Sequence, residues 1–172
     1  SYDEHLGLVE GTGGYGLVGL PEPKDPGDRL NLTGLGALHS EHLRKELRAA
    51  LALEPILKWV KEVYAETPWV YYLSGRRFMA VYPFIPFRDF FMDEAFFDME
   101  LYRLGTPAVN RGRQQYITSV YEDEAGQGLI VTFGAPVYEA DRFAGIVGFD
   151  LTLASLTQAL QELHHDEDAQ YL

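Results

Sequence analysis

Apolar residues recur at helical spacing between residues 40 and 67. They alternate with charged positions, and the apolar set is Leu43, Leu47, Ala50, Leu51, Leu57, Val60 and Tyr64. Because this period places them on one side of the chain, it predicts a long amphipathic helix over residues 40–67. Ser40 can cap the first turn with its hydroxyl. Pro55 cannot donate an amide proton and should therefore kink the helix or split it in two.

After residue 68 the period becomes that of strands. Two aromatic and β-branched runs, 69–74 and 78–82, flank Gly75-Arg76 and predict a hairpin. Similar runs at 116–121, 129–138 and 143–149 predict three further strands, in which Pro136 requires a sheet edge or a bulge. Prolines in the stretch 83–115 predict loops with one or two short helices between Asp93 and Leu104.

These elements define a domain organisation of the α+β class. Five strands joined by hairpins favour an antiparallel sheet with helices packed on it. We interpret residues 40–172 as one module, with a long helix at 40–67, a sheet core at 68–151 and a C-terminal helix at 152–168 that Thr152 caps. Residues 1–39 are rich in Gly and Pro, which predicts loop with at most a short strand near 15–20. They form an extension or the remnant of a preceding module.

Composition excludes several classes of function. The chain carries 14 Lys and Arg against 26 Asp and Glu, and a net charge of −12 disfavours nucleic acid and anionic lipid as partners. The absence of cysteine removes disulfides, thiolate catalysis and Cys-ligated zinc. No apolar run approaches the roughly 20 residues of a membrane span. The chain opens at Ser1, so we expect a fragment whose flanking transmembrane helices lie outside it.

Motifs of catalysis and metal binding are weak. The sequence contains no Gly-x-Ser-x-Gly nucleophile motif. The pair His164-His165 lies among acidic residues near the C-terminus and could bind a metal, but facing water is the favoured alternative. We therefore predict a domain that is not an enzyme and that has no cofactor and no metal site.

A set of spaced motifs occurs in the order of a known family. They are Tyr121 and Asp123, then Gly126 and Gly128, Val131-Thr132, Pro136-Val137 and the run from Gly145 to Leu151. Over residues 40–160 the chain resembles Cache domains, the PAS-like extracytoplasmic sensors of bacterial receptors. The resemblance implies a five-stranded antiparallel sheet preceded by a long N-terminal helix. It also implies a periplasmic or extracellular location between two transmembrane helices of a histidine kinase, diguanylate cyclase or chemoreceptor. We further expect a homodimer through the long helix.

The same resemblance implies a ligand site for an amino acid, an amine or a small carboxylate. Its candidate residues are Arg113, Tyr116, Tyr121, Asp123 and Asp150. Tyr71 and Tyr82 are further candidates, because tyrosine rings could line an aromatic cage for a cationic or amphipathic ligand. A guanidinium pairs with a carboxylate, and a carboxylate accepts from an ammonium. Other interpretations stay open: Asp150 could cap the closing helix, Asp123 could belong to a turn, and the tyrosines could fill the core. The alternative function is a structural or dimerisation module without a ligand.

Overall fold

The computed structural model describes residues 2–3, 7–11, 13–17, 20–38 and 40–158. The helices named here are α1 Glu41–Leu51, α2 Glu54–Val63 and α3 Glu100–Arg103, and 3₁₀ turns cover Pro26–Asp28 and Glu94–Phe97. The strands are β1 Tyr2–Asp3, β2 Leu8–Gly11, β3 Gly14–Gly16, β4 Asn31–Leu35, β5 Val70–Ser74, β6 Phe78–Tyr82, β7 Tyr116–Ile117, β8 Tyr121–Glu122, β9 Leu129–Glu139 and β10 Arg142–Thr152.

The strands of the described residues form one antiparallel sheet of ten strands. Its order is β1-β2-β3-β4-β6-β5-β10-β9-β7, and β8 also pairs directly with β9. The predicted hairpin is confirmed as β5 and β6, which pair from Val70 with Tyr82 to Ser74 with Phe78. The antiparallel arrangement is confirmed, whereas the number of five strands is wrong. Four strands from the N-terminal stretch extend the sheet, and residues 116–121 form two strands where one is predicted.

The loop prediction for residues 1–39 is the main correction. β4 pairs with β6 and β3 pairs with β4, so this stretch continues the sheet past the predicted hairpin. Asn31 is fully buried, and its side-chain amide donates to the Ile85 carbonyl at 2.6 Å. The strands are short and glycine-rich, which hid them from a periodicity search, but they satisfy the backbone groups along one side of β6. The proposed module boundary at residues 39 and 40 stays a prediction.

The single helix predicted over residues 40–67 is also wrong, and its alternative is confirmed. α1 and α2 are separate helices, and Pro55 lies in the first turn of α2, where its missing amide is not needed. Ser40 caps α1 by accepting from the Leu43 amide at 3.0 Å. None of the described helices is long and apolar enough to cross a membrane.

The C-terminal part of the sheet matches the prediction more closely. Residues 116–121 form β7 and β8 with a break between them, and β9 is a single strand. β7 reaches β9 only at Phe133 and Gly134, so Pro136 has β10 alone as its neighbour, as the edge prediction requires. Thr152 accepts from the Ser155 amide at 3.1 Å and so caps the closing helix. That helix covers residues 153–158, and its predicted continuation to 168 lies outside the described residues.

The two faces of the sheet are covered by different structures. One face, here called the helix face, packs Val70, Tyr72 and Phe78 against Leu47 of α1 and Leu57 of α2. The opposite face, here called the loop face, is covered by the segment 85–104, here called the covering segment. There Tyr71, Leu73, Met79, Val81 and Ile146 of the strands pack against Ile85, Phe90, Met92, Phe96 and Leu101. Because side chains alternate along a strand, neighbouring residues serve different cores.

Candidate functional site

The loop face encloses a small cavity beneath the covering segment. Its apolar walls include Met79 and Val81 of β6 and Phe90, Phe96, Met99 and Leu101 of the covering segment. Its polar walls include Tyr71, Tyr121, Asp123, Glu124 and Asp150. Its volume is about 40 Å³. A cavity of that size holds a group of a few heavy atoms, since one water needs roughly 10–15 Å³ on this measure.

Asp150 is the central polar residue of the cavity. β10 places it directly opposite Thr132 of β9, and only 3% of it is exposed. Its Oδ1 atom accepts hydrogen bonds from the Thr132 hydroxyl at 2.6 Å and the Tyr71 hydroxyl at 3.2 Å. Among the described residues no donor bonds its Oδ2 atom. Asp150 is therefore a buried carboxyl with one oxygen unused, and the helix-cap alternative for it is wrong because Thr152 provides the cap.

Two tyrosines complete the hydrogen-bond network around Asp150. The Thr132 hydroxyl gives its single proton to Asp150, so its oxygen accepts from the Tyr121 hydroxyl at 2.6 Å. The Tyr71 ring lies across Gly148, where an added Cβ would come within 2.9 Å of it. Gly148 therefore leaves room for the ring, which in turn directs the phenol at Asp150.

Asp123 serves both a turn and the cavity. Its carboxylate accepts from the Gln127 amide at 2.9 Å, and its own amide donates to the Gly128 carbonyl at 2.8 Å, which closes the turn before β9. The same carboxylate oxygen accepts from the indole nitrogen of Trp69 at 3.1 Å. The turn interpretation of Asp123 is therefore confirmed, and the residue also lines the cavity.

The cavity is acidic. Asp123, Glu124 and Asp150 line it, and among the described residues that line it there is no basic side chain. Burial raises the pKa of the Asp150 carboxyl from 3.8 to about 7, although hydrogen bonds from Thr132 and Tyr71 oppose the shift. Burial also raises the pKa of Glu124, with further contributions from Asp93 and Asp123. Negative charge inside this cavity is thus held at a cost in free energy.

Three of the predicted site residues lie outside the cavity. Tyr82 points to the helix face and donates to the Gly27 carbonyl at 2.9 Å. Arg113 pairs with Asp141 at 3.0 Å and stacks over the Tyr138 ring at 4.0 Å.

Tyr116 lies near the cavity without lining it. Its ring packs over Gly134, and its hydroxyl donates to the Leu101 carbonyl at 2.5 Å. Tyr116 thus positions the covering segment. The structure brings together the other four predicted residues, Tyr71, Tyr121, Asp123 and Asp150.

Sequence reasoning missed the residues that close the cavity. Periodicity places Trp69 in a strand, and the resemblance gives Thr132 only as part of a motif, although Thr132 connects Asp150 to both tyrosines. Phe96 and Leu101 belong to the covering segment, which has no regular period. For Thr132 a signal existed, because an antiparallel pairing of 129–138 with 143–149 places a polar residue of one strand beside Asp150.

Comparisons with known proteins identify the family. Residues 59–158 match the family model described as methyl-accepting chemotaxis protein-like, first PDC sensor domain. The chain belongs to this family. The matched residues include every residue that lines the cavity. This PDC domain is thus a sensor domain of the chemoreceptor type, and the predicted resemblance to PAS-like extracytoplasmic sensors is confirmed.

Other comparisons add little to this. Among solved structures, the PDC domain is similar to the ligand-binding domain of the Pseudomonas aeruginosa PAO1 amino acid chemoreceptor PctC, solved in complex with GABA. The identity is 21% and the TM-score is 0.42, and the match covers 60% of this chain and 42% of that chain. The PDC domain therefore spans less than half the length of that structure. No curated protein matches the chain.

Proposed function

We propose that this PDC domain is the extracytoplasmic sensor domain of a transmembrane signalling receptor, without catalytic activity, and that it binds a small molecule through an ammonium group. The observation that carries the proposal is the carboxyl of Asp150, which is 3% exposed, borders a cavity lined by acids and accepts hydrogen bonds from described donors at Oδ1 only. The family of the chain supports the receptor part, including a periplasmic or extracellular location.

The lining favours a cation over the other ligands that the sequence suggested. An ammonium donates three hydrogen bonds and can reach a carboxylate oxygen that no described donor occupies. The rings of Trp69, Tyr71 and Tyr121 supply aromatic faces that attract a cation. A small carboxylate would meet Asp123, Glu124 and Asp150 without a basic partner among the described lining residues. Arg113, the predicted partner of a carboxylate, is paired with Asp141 instead.

Binding of a cation is coupled to ionisation of Asp150. The raised pKa of about 7 means that much of the carboxyl is protonated at neutral pH. An ammonium beside it stabilises the charged form and lowers its pKa, so binding releases a proton. Affinity should therefore rise by about tenfold between pH 6 and pH 8 for a ligand that stays protonated. A ligand held by uncharged contacts would not show this dependence.

Two connections can pass a change in the cavity to the terminal helices. β10 continues from Asp150 to Thr152, which caps the closing helix. On the other side of the sheet, Glu46 of α1 accepts hydrogen bonds from the hydroxyls of Tyr72 and Ser74 on β5, at 2.8 and 2.5 Å. β5 also carries Tyr71. A ligand shifts the helices only if it binds their two arrangements with different affinity.

The test is a thermal-shift and calorimetry panel on the purified domain. Ethylammonium and putrescine form one group, and acetate and succinate form the other. We expect stabilisation by members of the first group and none by the second. Asp150→Asn keeps the shape of the side chain and removes its charge, and it should abolish the response.

Asp141→Asn is the matched control, because its side chain is 97% exposed and lies outside the cavity. It should bind like the wild type. Equal responses to ammonium compounds and carboxylates, or full binding by Asp150→Asn, would contradict the proposal.

A second candidate is a dimerisation module without a ligand, which the small volume of the cavity supports. Ile56, Trp59 and Val63 of α2 share one helix face and are 57%, 60% and 52% exposed. Such a face suits a second copy of the same helix. Light scattering should then give a dimer for the wild type and a monomer for Trp59→Lys, with Val109→Lys as the exposed control. A monomeric wild type would remove this candidate.

A further inference from the structure

The inner cavity has a larger neighbour behind a single layer of side chains. A groove of about 260 Å³ lies between the covering segment and the stretch before β8, and Val120 and Ser119 line its far side. Met99, Leu101 and Tyr121 line both the groove and the inner cavity. These three side chains, here called the partition, are all that both spaces share among the described residues.

The size of the inner cavity determines where the rest of a ligand must lie. At about 40 Å³ the cavity has room for a head group and not for a chain attached to it. A molecule whose ammonium reaches Asp150 must therefore extend beyond the inner walls. The groove is the adjoining space, and at about 260 Å³ it is the larger of the two.

Of the three partition residues, Met99 is the one whose side chain can move at a small cost in free energy. Tyr121 is held by its hydrogen bond to Thr132, and Leu101 is 3% exposed within the core. Met99 is only partly buried and precedes the first turn of α3. A methionine side chain is unbranched and flexible, so it can change rotamer without disturbing the backbone. Rotation of Met99 would join the two spaces.

The groove itself is suited to an apolar group. Its lining combines Met99, Leu101, Val120 and the Tyr121 ring, and Val120 is 48% exposed to it and to solvent. Glu100 is at the groove too, where its carboxylate accepts from the Ser119 amide at 2.7 Å. An anionic group would therefore be repelled from both spaces, whereas an aliphatic chain would lose contact with water on entering the groove.

We propose that the inner cavity and the groove are two parts of one elongated site. It takes a primary ammonium ion with an unbranched aliphatic tail, with the ammonium at Asp150 and the tail passing Met99 to Val120. This inference rests on the proposed function, because it assumes that the ammonium binds at Asp150.

The experiment is calorimetry of the purified domain with n-alkylammonium chlorides from ethyl to hexyl. Burial of each additional methylene should strengthen binding by about fourfold until the groove is filled. Val120→Ser removes apolar surface from the groove and should weaken hexylammonium binding by about fivefold. It should leave ethylammonium unchanged, because an ethyl group does not reach Val120.

Val109→Ser is the matched control, since Val109 is 56% exposed against 48% for Val120 and lies outside both spaces. It should bind every member of the series like the wild type. Binding that requires Asp150 but does not strengthen with chain length would overturn this inference and leave the proposed function standing. Failure of the whole series to bind would overturn both. An equal loss in Val109→Ser and Val120→Ser would also overturn the inference.

Discussion

The two faces of the sheet are closed by different kinds of structure. The helix face is covered by two regular helices. The buried residues Leu43, Leu47 and Ala50 of α1 recur at helical spacing, and α2 adds Leu57. The loop face is covered by a segment whose regular parts are a 3₁₀ turn and a helix of four residues each. The loop face also contains a buried carboxyl and a cavity. The difference indicates that the helix face supplies stability, while the loop face gives up part of it for a site.

The largest test of this comparison is a truncation on the helix face. Leu47 is fully buried between α1 and the sheet, so Leu47→Ala should lower the free energy of unfolding by about 4 kcal/mol through lost burial and a residual cavity. Urea denaturation followed by circular dichroism measures the change. Binding of ammonium ligands by the folded fraction should stay unchanged, and a loss below about 1 kcal/mol would show that the helix face is not the stabilising one.

The next test removes the buried charge of the loop face. The folded-state pKa of Asp150, about 7, lies above its ordinary value of 3.8. Its protonation therefore stabilises the fold at low pH, and this contribution is lost as the pH rises from about 4 to about 7. The ceiling of the loss is about 4 kcal/mol at 1.36 kcal/mol for each pH unit.

Asp150→Asn has no charge to bury, so at pH 8 it should be more stable to unfolding than the wild type. We expect a gain of about 2 kcal/mol and not the full ceiling, because the buried amide lacks a hydrogen-bond acceptor. Urea denaturation at pH 5 and pH 8 measures the difference between the variant and the wild type. Asp141→Asn, which is exposed, should show the same pH dependence as the wild type. If the free energies of unfolding of Asp150→Asn and the wild type changed equally between pH 5 and pH 8, the charge on Asp150 would not destabilise the fold.

The smallest expected effect on stability belongs to Met99. Because Met99 is only partly buried and flexible, Met99→Ala should cost about 1 kcal/mol or less. The association rate of hexylammonium should rise by about threefold to tenfold, since a smaller side chain leaves the two spaces joined, and stopped-flow fluorescence of the nearby Trp69 can follow it. An unchanged rate would show that Met99 does not separate the spaces.

The parts of the fold that could be predicted are those whose sequence has the period of a helix or a strand. The hairpin of β5 and β6 follows from two apolar runs and a short turn, and its register already separates Tyr71 from Tyr82. Since Tyr71 pairs with Val81 and Tyr82 with Val70, the two tyrosines lie on opposite faces of the sheet. A stricter use of the two-residue period would have removed Tyr82 from the candidate site.

Other features could not be predicted in this way. β2, β3 and β4 are short and contain glycines such as Gly14 and Gly34, so they show neither period. The aromatic ring of Tyr15 occupies the space beside Gly34, where an added Cβ would come within 2.4 Å of it. The covering segment has its position fixed by tertiary contacts alone, such as the bond from Tyr116 to the Leu101 carbonyl. Asp150 is a candidate because the resemblance to Cache domains implies it.

The strands at residues 8–35 are needed in any shortened form of this chain. A fragment that begins at residue 40 would leave the backbone of β6 without the partner that β4 provides from Asn31 to Gly34. Open hydrogen-bonding groups along a strand as apolar as Phe78–Tyr82 invite intermolecular pairing, and such a fragment should precipitate or form swapped oligomers. The glycine-rich stretch thus protects the edge of β6 from pairing with other molecules.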